Sequence, residues 1–367
     1  MAHSPEELHS FLGFLPRLPK YVYFRSRPVL GPTEVKEAYP RWLKRDRALR
    51  ALNLEANVFE IVEDRPQRSR GESARPSPTG IFALLPGSQD RLLRLTAITS
   101  SRFWNAGIRR FVRRVYPFIS SILLDQTELR DVLLKLEAHL RPSRQLIITD
   151  LGLREPRPGL SAQKKVQRFD ADRRWTEASL QDILLQVQER GQWFTSVGFT
   201  VTRHEPIRDQ TFIEARGRLR RNGELHLDNQ FPDLSDMILA WVEEAGARRV
   251  RLLTNRGLRE RSYTPAKPIA IEFSQGVFAD PKELKRLASI LARYPNATKA
   301  VYHSNPYYHA SLADVKDGSS IDVWVLNQSR ILLVPQAKST APAYSRLISH
   351  IFTYFREGRV TEFDGDQ

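Results

Sequence analysis

The amino-acid sequence predicts a mixed α/β (α+β) fold of two domains. The chain has 367 residues, more than a single hydrophobic core usually serves. Its apolar share of 41% and charged share of 27% are those of a globular protein. Stretches with helical spacing alternate along the chain with short extended runs and turn signals. We therefore expect helices and sheets in both domains.

The first domain is expected at residues 1–150. It contains extended runs and, at residues 63–80, a segment rich in Arg, Ser, Pro and Gly that predicts a mobile loop. Apolar residues recur at helical spacing over residues 100–116. A second helix should follow Asp125, because Asp125 and Glu128 have the spacing of a capping box.

A basic linker is expected at residues 151–175, because four prolines or glycines are followed by many Lys and Arg residues. The second domain is expected at residues 176–367 and begins with a helix and a strand. Residues 212–244 and 301–355 each read as a β-hairpin followed by a helix. The second domain should therefore be a mixed or antiparallel sheet with hairpin-plus-helix units.

The charge of the chain predicts a polyanionic partner. Its formal net charge is +15, and nucleic acid, DNA or RNA, is the commonest polyanion in a cell. GC-rich codons explain a preference for Arg over Lys, but they do not explain the excess over Asp and Glu. With no cysteine, disulfides, thiol catalysis and cysteine zinc sites are excluded. The absence of a signal-peptide pattern and of an apolar run of about 20 residues predicts a cytoplasmic protein without a membrane partner.

Two arginine clusters are the candidates for phosphate contact. The first lies on the polar face of the helix predicted at 100–116 and comprises Arg109, Arg110, Arg113 and Arg114. The second occupies alternate positions of a predicted strand and comprises Arg216, Arg218 and Arg220. Arginine can bind phosphate oxygens through two parallel N–H groups. Both clusters could instead be ordinary solvated faces, and Glu214 and Glu224 could neutralise the second by cross-strand pairing.

Near the C-terminus, Asp322 lies in one predicted strand of a hairpin, and Gln336 and Lys338 follow in the next. An acidic residue beside a polar-x-Lys tripeptide can hold a divalent metal and activate water for phosphodiester cleavage, with the Lys stabilising negative charge. Over residues 280–364 the sequence resembles the PD-(D/E)xK nuclease superfamily. The resemblance implies metal binding by Asp322, with Mg or Mn as the cofactor, Gln336 at the position of the usual acidic ligand, and charge stabilisation by Lys338. No other cofactor is expected.

A further group of possible ligands surrounds the expected turn at 304–307. His303, His309 and Asp314 could hold a metal, although isolated histidines more often make structural hydrogen bonds. Tyr307 and Tyr308 could stack on the bases of a single strand or pack the rim of the domain.

The leading hypothesis is a nucleic-acid-binding subunit that recognises the backbone through its arginine clusters and has a protein partner. Its Arg-rich, cysteine-free character fits a bacterial DNA-targeting or anti-phage defence complex. The alternatives are a metal-dependent nuclease acting through Asp322, Gln336 and Lys338, and a protein-interaction scaffold whose charge serves an acidic partner. No phosphate-binding loop, dinucleotide fingerprint, nucleophile elbow or zinc-protease motif occurs in the sequence.

Overall fold

A computed structural model gives the fold of the chain. The residues that it describes are 23–30, 49–53, 58–61, 80–88, 92–108, 111–112, 119–157, 160–168, 180–190, 192–205, 210–228, 232–254, 267–273, 276–304, 307–336 and 338–363. The expected loop at 63–80 lies outside the described residues except for Gly80, which begins a strand.

Among the described residues, eleven strands form a first sheet. They are β1 (Tyr23–Leu30), β2 (Leu49–Asn53), β3 (Val58–Ile61), β4 (Gly80–Pro86), β5 (Leu92–Thr99), β6 (Ser120–Ser121), β7 (Gln145–Arg157), β8 (Leu160–Arg168), β9 (Trp193–Glu205), β10 (Gln210–Arg220) and β11 (Leu225–Leu227). The order in the sheet is β2-β3-β4-β5-β1-β11-β10-β9-β7-β8, and β6 pairs with β1. The turn between β10 and β11 contains Gly223 at φ 74°, a left-handed conformation that favours glycine.

A second sheet of six strands lies toward the C-terminal end of the described chain. Its strands are β12 (Ile269–Glu272), β13 (Ala297–His303), β14 (Tyr308–Asp314), β15 (Ser320–Asn327), β16 (Arg330–Pro335) and β17 (Arg359–Glu362). The order is β13-β14-β15-β16-β12-β17, and every neighbouring pair is antiparallel. The prediction of an antiparallel sheet built from hairpins followed by a helix is confirmed here.

The described helices longer than two turns are α1 (Gln126–Leu140), α2 (Leu180–Glu189), α3 (Pro232–Thr254), α4 (Pro281–Ala292) and α5 (Ala341–Tyr354). The predicted capping box begins α1: the Asp125 carboxylate accepts from the backbone N–H of Glu128 at 2.9 Å, and Glu128 accepts from that of Asp125 at 2.8 Å. Within the described part of the chain, no helix is both long and apolar enough to cross a membrane.

The two sheets share one hydrophobic core, because a single cluster of buried apolar residues extends from Leu30 to Phe355. Helix α5 contributes much of the contact with the first sheet. The Ser345 hydroxyl donates to the carbonyl of Ser121 in β6 at 3.1 Å, and Arg154 in β7 donates to the carbonyl of Thr353 at 2.6 Å. The mixed α+β class is thus confirmed, while the division into two domains stays a prediction.

The expected linker at 151–175 was wrong for residues 151–157 and 160–168, which belong to β7 and β8 of the first sheet. The glycine and proline residues of this segment have positions within the sheet. A Cβ at Gly152 would lie 2.5 Å from the Ser196 hydroxyl in β9, so this glycine allows a close approach of strands. Pro156 lies at a register shift between β7 and β8, where a ladder hydrogen bond is not required. The sheet continues to β11, so the first sheet gives way to the second after Leu227.

Candidate nucleic-acid interface

The first part of the helix expected at 100–116 is helical in the structure, and its apolar face is buried as predicted. Trp104, Ile108 and Phe111 are fully buried, and residues Phe103–Ile108 form a π-helical turn. The first arginine cluster, which is Arg109, Arg110, Arg113 and Arg114, lies outside the described residues. Its role in phosphate contact therefore stays a prediction.

The second arginine cluster lies on β10, where the structure also shows its opposite face to be apolar. Ala215 and Leu219 are buried, whereas Arg216 is exposed. The guanidinium of Arg218 donates to both carboxylate oxygens of Asp150 in β7, each at 2.8 Å. Arg220 forms an ion pair of 3.1 Å with Glu224. Two of the three predicted phosphate ligands are thus partly neutralised inside the protein.

The partner of Arg218 is one that the sequence did not indicate, because Asp150 comes from a strand some seventy residues earlier in the chain. Glu214, which was considered as a residue that could neutralise the cluster, pairs with Arg144 at 2.6 Å and with Arg203 at 3.3 Å. Among the described residues, Arg216 has no side-chain partner and remains the accessible cation of the cluster.

His226 in β11 adds no charge to this surface at neutral pH. Burial, together with the nearby guanidinium groups of Arg25 and Arg218, lowers its pKa to about 4. The imidazole is therefore neutral at pH 7, and the positive charge beside it comes from arginine alone.

The second sheet has one buried and one partly open face. Alternate residues such as Tyr308, Leu312, Val323 and Val325 are buried, and helices α4 and α5 pack on their side. Two contacts show on which face of the sheet these helices lie. Lys299 donates to the carbonyl of Ala288 in α4 at 3.2 Å, and Arg346 of α5 donates to Asp314 at 2.7 Å. The residues between these alternate positions point to the other face.

On that other face, three rings form a ladder across neighbouring strands. The ring centroids of Tyr302 in β13 and His309 in β14 are 4.7 Å apart, and those of His309 and Trp324 in β15 are 3.9 Å apart with an interplanar angle of 22°. Tyr302 lies at a register shift of β13 and is 64% exposed. The outer end of the ladder is therefore an aromatic ring that solvent can reach.

Hydrogen-bonding groups lie directly beside the ladder. Oδ2 of Asp322 accepts from Nε2 of Gln336 at 2.9 Å and lies 3.2 Å from Nε2 of His309. Ser311 is the register partner of Asp322. We call this surface the open face and define it by Tyr302, His309, Ser311, Asp322, Trp324 and Gln336.

The open face ends at β16. Leu332, which is the register partner of Trp324, and Ala270, which pairs with Leu332, are both buried. The accessible surface therefore extends over β13, β14 and β15, with Gln336 at its border.

Of the three residues singled out by the nuclease resemblance, the structure brings Asp322 and Gln336 into contact. The backbone carbonyl of Lys338 accepts from the N–H of Ser320 at 2.7 Å, and its Nζ would be 3.3 Å from a Cβ at Gly318, in the turn that precedes β15. Among the described residues, no hydrogen bond or ion pair joins Lys338 to Asp322. The roles of these residues in cleavage stay predictions.

The described residues contain no group of three or more His, Asp or Glu side chains that could hold a metal ion. Asp314, which was considered as a ligand together with His303 and His309, points to the buried face and is paired with Arg346. His303 and His309 are register partners, but the ring of His309 already stacks on Trp324 and lies 3.2 Å from Asp322. Glu283, the acidic residue in the first turn of α4, lies across the sheet from Asp322 and is paired with Arg286 at 2.9 Å.

Sequence reasoning missed the ring ladder. It singled out Tyr307 and Tyr308 instead, of which Tyr308 is a core residue and Tyr307 is 52% exposed. The alternation of β14 and β15 does indicate that His309 and Trp324 point to the polar face. Their mutual contact depends on strand register, which local alternation does not give.

No protein-family model matches the chain, and no curated protein is similar enough to it to indicate a family.

Proposed function

We propose that this chain is a nucleic-acid-binding subunit that takes up unpaired bases on the open face of its second sheet. The observation that carries the proposal is the ladder of Tyr302, His309 and Trp324 on an accessible strand surface. Bases of every kind have a π-face, and proteins that bind single strands commonly present aromatic rings to them.

Charge supports the same occupant. A net charge of +15 attracts a phosphate backbone over a distance set by the salt concentration. The open face itself has only one carboxylate, Asp322, and that group already accepts hydrogen bonds from the protein. Backbone contact would come from accessible cations such as Arg216 and from the predicted cluster at Arg109–Arg114.

A single strand suits this surface better than a duplex. The bases of a duplex are already stacked on each other, and reaching them requires unstacking at a cost of a few kcal/mol. A protruding ring such as Tyr302 can contact a base only when one face of that base is free. We therefore place single-stranded nucleic acid ahead of double-stranded nucleic acid.

The wider setting, a cytoplasmic DNA-targeting or anti-phage complex with a protein partner, rests on the sequence character alone. The metal-dependent nuclease remains a second candidate, because the contact between Asp322 and Gln336 is the one that the resemblance implies. A salt-insensitive association with an acidic protein would favour the scaffold instead.

The test is fluorescence anisotropy with labelled single-stranded and duplex oligonucleotides of about 12 nucleotides, as DNA and as RNA, over a range of salt concentrations. Tyr302→Ala should weaken single-strand binding by roughly 10-fold, since stacking on one ring contributes about 1–3 kcal/mol. Tyr307→Ala is the matched control: it removes another exposed tyrosine ring, five positions after Tyr302 and outside the ladder, and should leave affinity unchanged.

Failure of every oligonucleotide to bind would refute the proposal. Binding that both tyrosine variants reduce equally would also refute it, because the ladder would then have no special role. The same incubations, with Mn²⁺ or with a chelator, separate binding from cleavage. Metal-dependent fragments that disappear in Lys338→Ala would promote the nuclease to first place.

A further inference from the structure

We propose that Asp322 and Gln336 select an unpaired guanine among the bases that the open face binds. The inference rests on the proposed function and specifies its ligand. Some of the hydrogen-bonding atoms beside the ladder are already bonded within the protein, and the others are left for a ligand.

Two acceptor atoms remain available at this position. Oδ2 of Asp322 is held by Gln336 and His309, but Oδ1 of Asp322 has no partner among the described residues. The same holds for Oε1 of Gln336, whose Nε2 is the atom that donates to Asp322. Neither oxygen is among the fully buried polar atoms of the described residues that lack a hydrogen bond, which agrees with partial exposure to solvent.

The existing contacts fix the orientation of these acceptors. The Asp322 side chain is 14% exposed and is held on one side by the His309 ring, which is itself stacked on Trp324. Because Gln336 donates one of the two N–H bonds of its amide to Asp322, its carbonyl oxygen points away from the carboxylate. The two residues together present acceptors beside an aromatic surface.

Guanine is the base that matches a pair of acceptors. Its Watson–Crick edge carries two adjacent donors, the N1–H and the 2-amino group. Adenine and cytosine each place a ring-nitrogen acceptor beside their amino group, and that lone pair would face the carboxylate unfavourably. Uracil and thymine offer one imino N–H between two carbonyl oxygens. Since this edge is occupied by cytosine in a duplex, the guanine must be unpaired, in agreement with a single-stranded ligand.

The experiment uses short thymidine oligomers if the protein binds DNA more tightly, and short uridine oligomers if it binds RNA more tightly. Each oligomer carries one central guanine, hypoxanthine or adenine. Hypoxanthine is guanine without the 2-amino group, so it isolates the second donor. We expect the guanine oligomer to bind roughly 5- to 100-fold more tightly than the adenine oligomer, with hypoxanthine in between, by analogy with other paired contacts to a base edge.

Asp322→Asn tests the role of the carboxylate, because it keeps the shape of the side chain and replaces one acceptor by a donor. The guanine preference should disappear while affinity for the unsubstituted oligomer changes little. Glu362→Gln is the matched control: it makes the same change of charge on β17, at the opposite edge of the sheet, and should keep the preference. Circular dichroism and thermal unfolding of both variants verify the fold.

The outcomes separate the two proposals. Equal affinity for the three substituted oligomers, with binding of the unsubstituted oligomer intact, overturns guanine selection and leaves the proposed function standing. A uniform gain of affinity in Asp322→Asn and in Glu362→Gln, with the preference kept, shows a general charge effect and also overturns it. If no oligomer binds, the proposed function itself fails.

Discussion

Replacing Glu357 by glutamine should remove a pH dependence from the stability of this protein. Glu357 follows α5, and its side chain, which is 9% exposed, lies at the junction of the two sheets. One of its oxygens lies 2.9 Å from Nη2 of Arg221, in the turn after β10, and the other accepts from the backbone N–H of Gln126 at 2.5 Å. The carboxyl group thus joins the C-terminal part of the fold to the first sheet and to the start of α1.

The size of the effect follows from the shifted pKa. Burial raises the pKa of Glu357 from 4.5 to about 7, and the attraction of Arg221 only partly opposes this rise. The folded protein therefore binds this proton more tightly than the unfolded chain does. The stabilising contribution is complete below pH 4.5, falls as the pH rises toward 7 and is lost above it, a change of roughly 3 kcal/mol at about 1.4 kcal/mol for each pH unit.

The assay is urea denaturation of the native protein and of Glu357→Gln at several pH values between 4 and 8. Because glutamine does not titrate, the variant should gain stability relative to the native protein as the pH rises through this window, by up to roughly 3 kcal/mol. Glu362→Gln, an exposed carboxylate on β17, is the control and should run parallel to the native protein.

A constant difference between Glu357→Gln and the native protein across the window would refute the reasoning, because the folded and unfolded pKa values would then be equal. A difference of opposite sign would mean that the ion pair with Arg221 outweighs burial and keeps the carboxylate ionised. Other groups that titrate here, such as His226, are common to both proteins and cancel in the difference.

Two further predictions concern the arginine contacts. Arg249→Met should lower the free energy of unfolding by about 3–5 kcal/mol in urea denaturation. Arg249 donates at 2.8 Å to Asp125 and to Glu128, so its loss leaves two largely buried carboxylates without this cation. A loss of stability under about 1 kcal/mol would contradict this. Asp150→Asn should release Arg218 for phosphate contact, because it removes the carboxylate that the guanidinium now binds. Under the proposed function, single-strand affinity should then rise and the slope of log affinity against log salt concentration should steepen by about 0.7. An unchanged slope would mean that Arg218 makes no contact with phosphate.

Local signals in the sequence predicted several elements correctly because their causes are local. The capping box at Asp125 and Glu128 needs only the spacing of two side chains and the first turn of α1. The hairpin of β15 and β16 and the helix α5 follow from alternation and from helical periodicity, which neighbouring residues alone impose.

The same signals failed where one residue type has two physical uses. Glycine and proline at 152 and 156 were read as the start of a linker, yet one allows a close approach of β7 and β9 and the other sits at a bulge. Which use applies depends on whether a partner strand is present, and a single segment does not contain that information.

By itself the sequence determined the α+β class, the hairpin-plus-helix units, the strong positive charge and the position of Asp322 on one strand of a hairpin whose partner strand leads into Gln336. Tertiary structure alone decided the rest of the candidate site. Tyr302, His309 and Trp324 stack because three strands pair in one register, and Arg218 is neutralised because Asp150 arrives from β7. Strand register is set by the packing of the whole sheet against its helices, so contacts that depend on it cannot be obtained from the periodicity of any one strand.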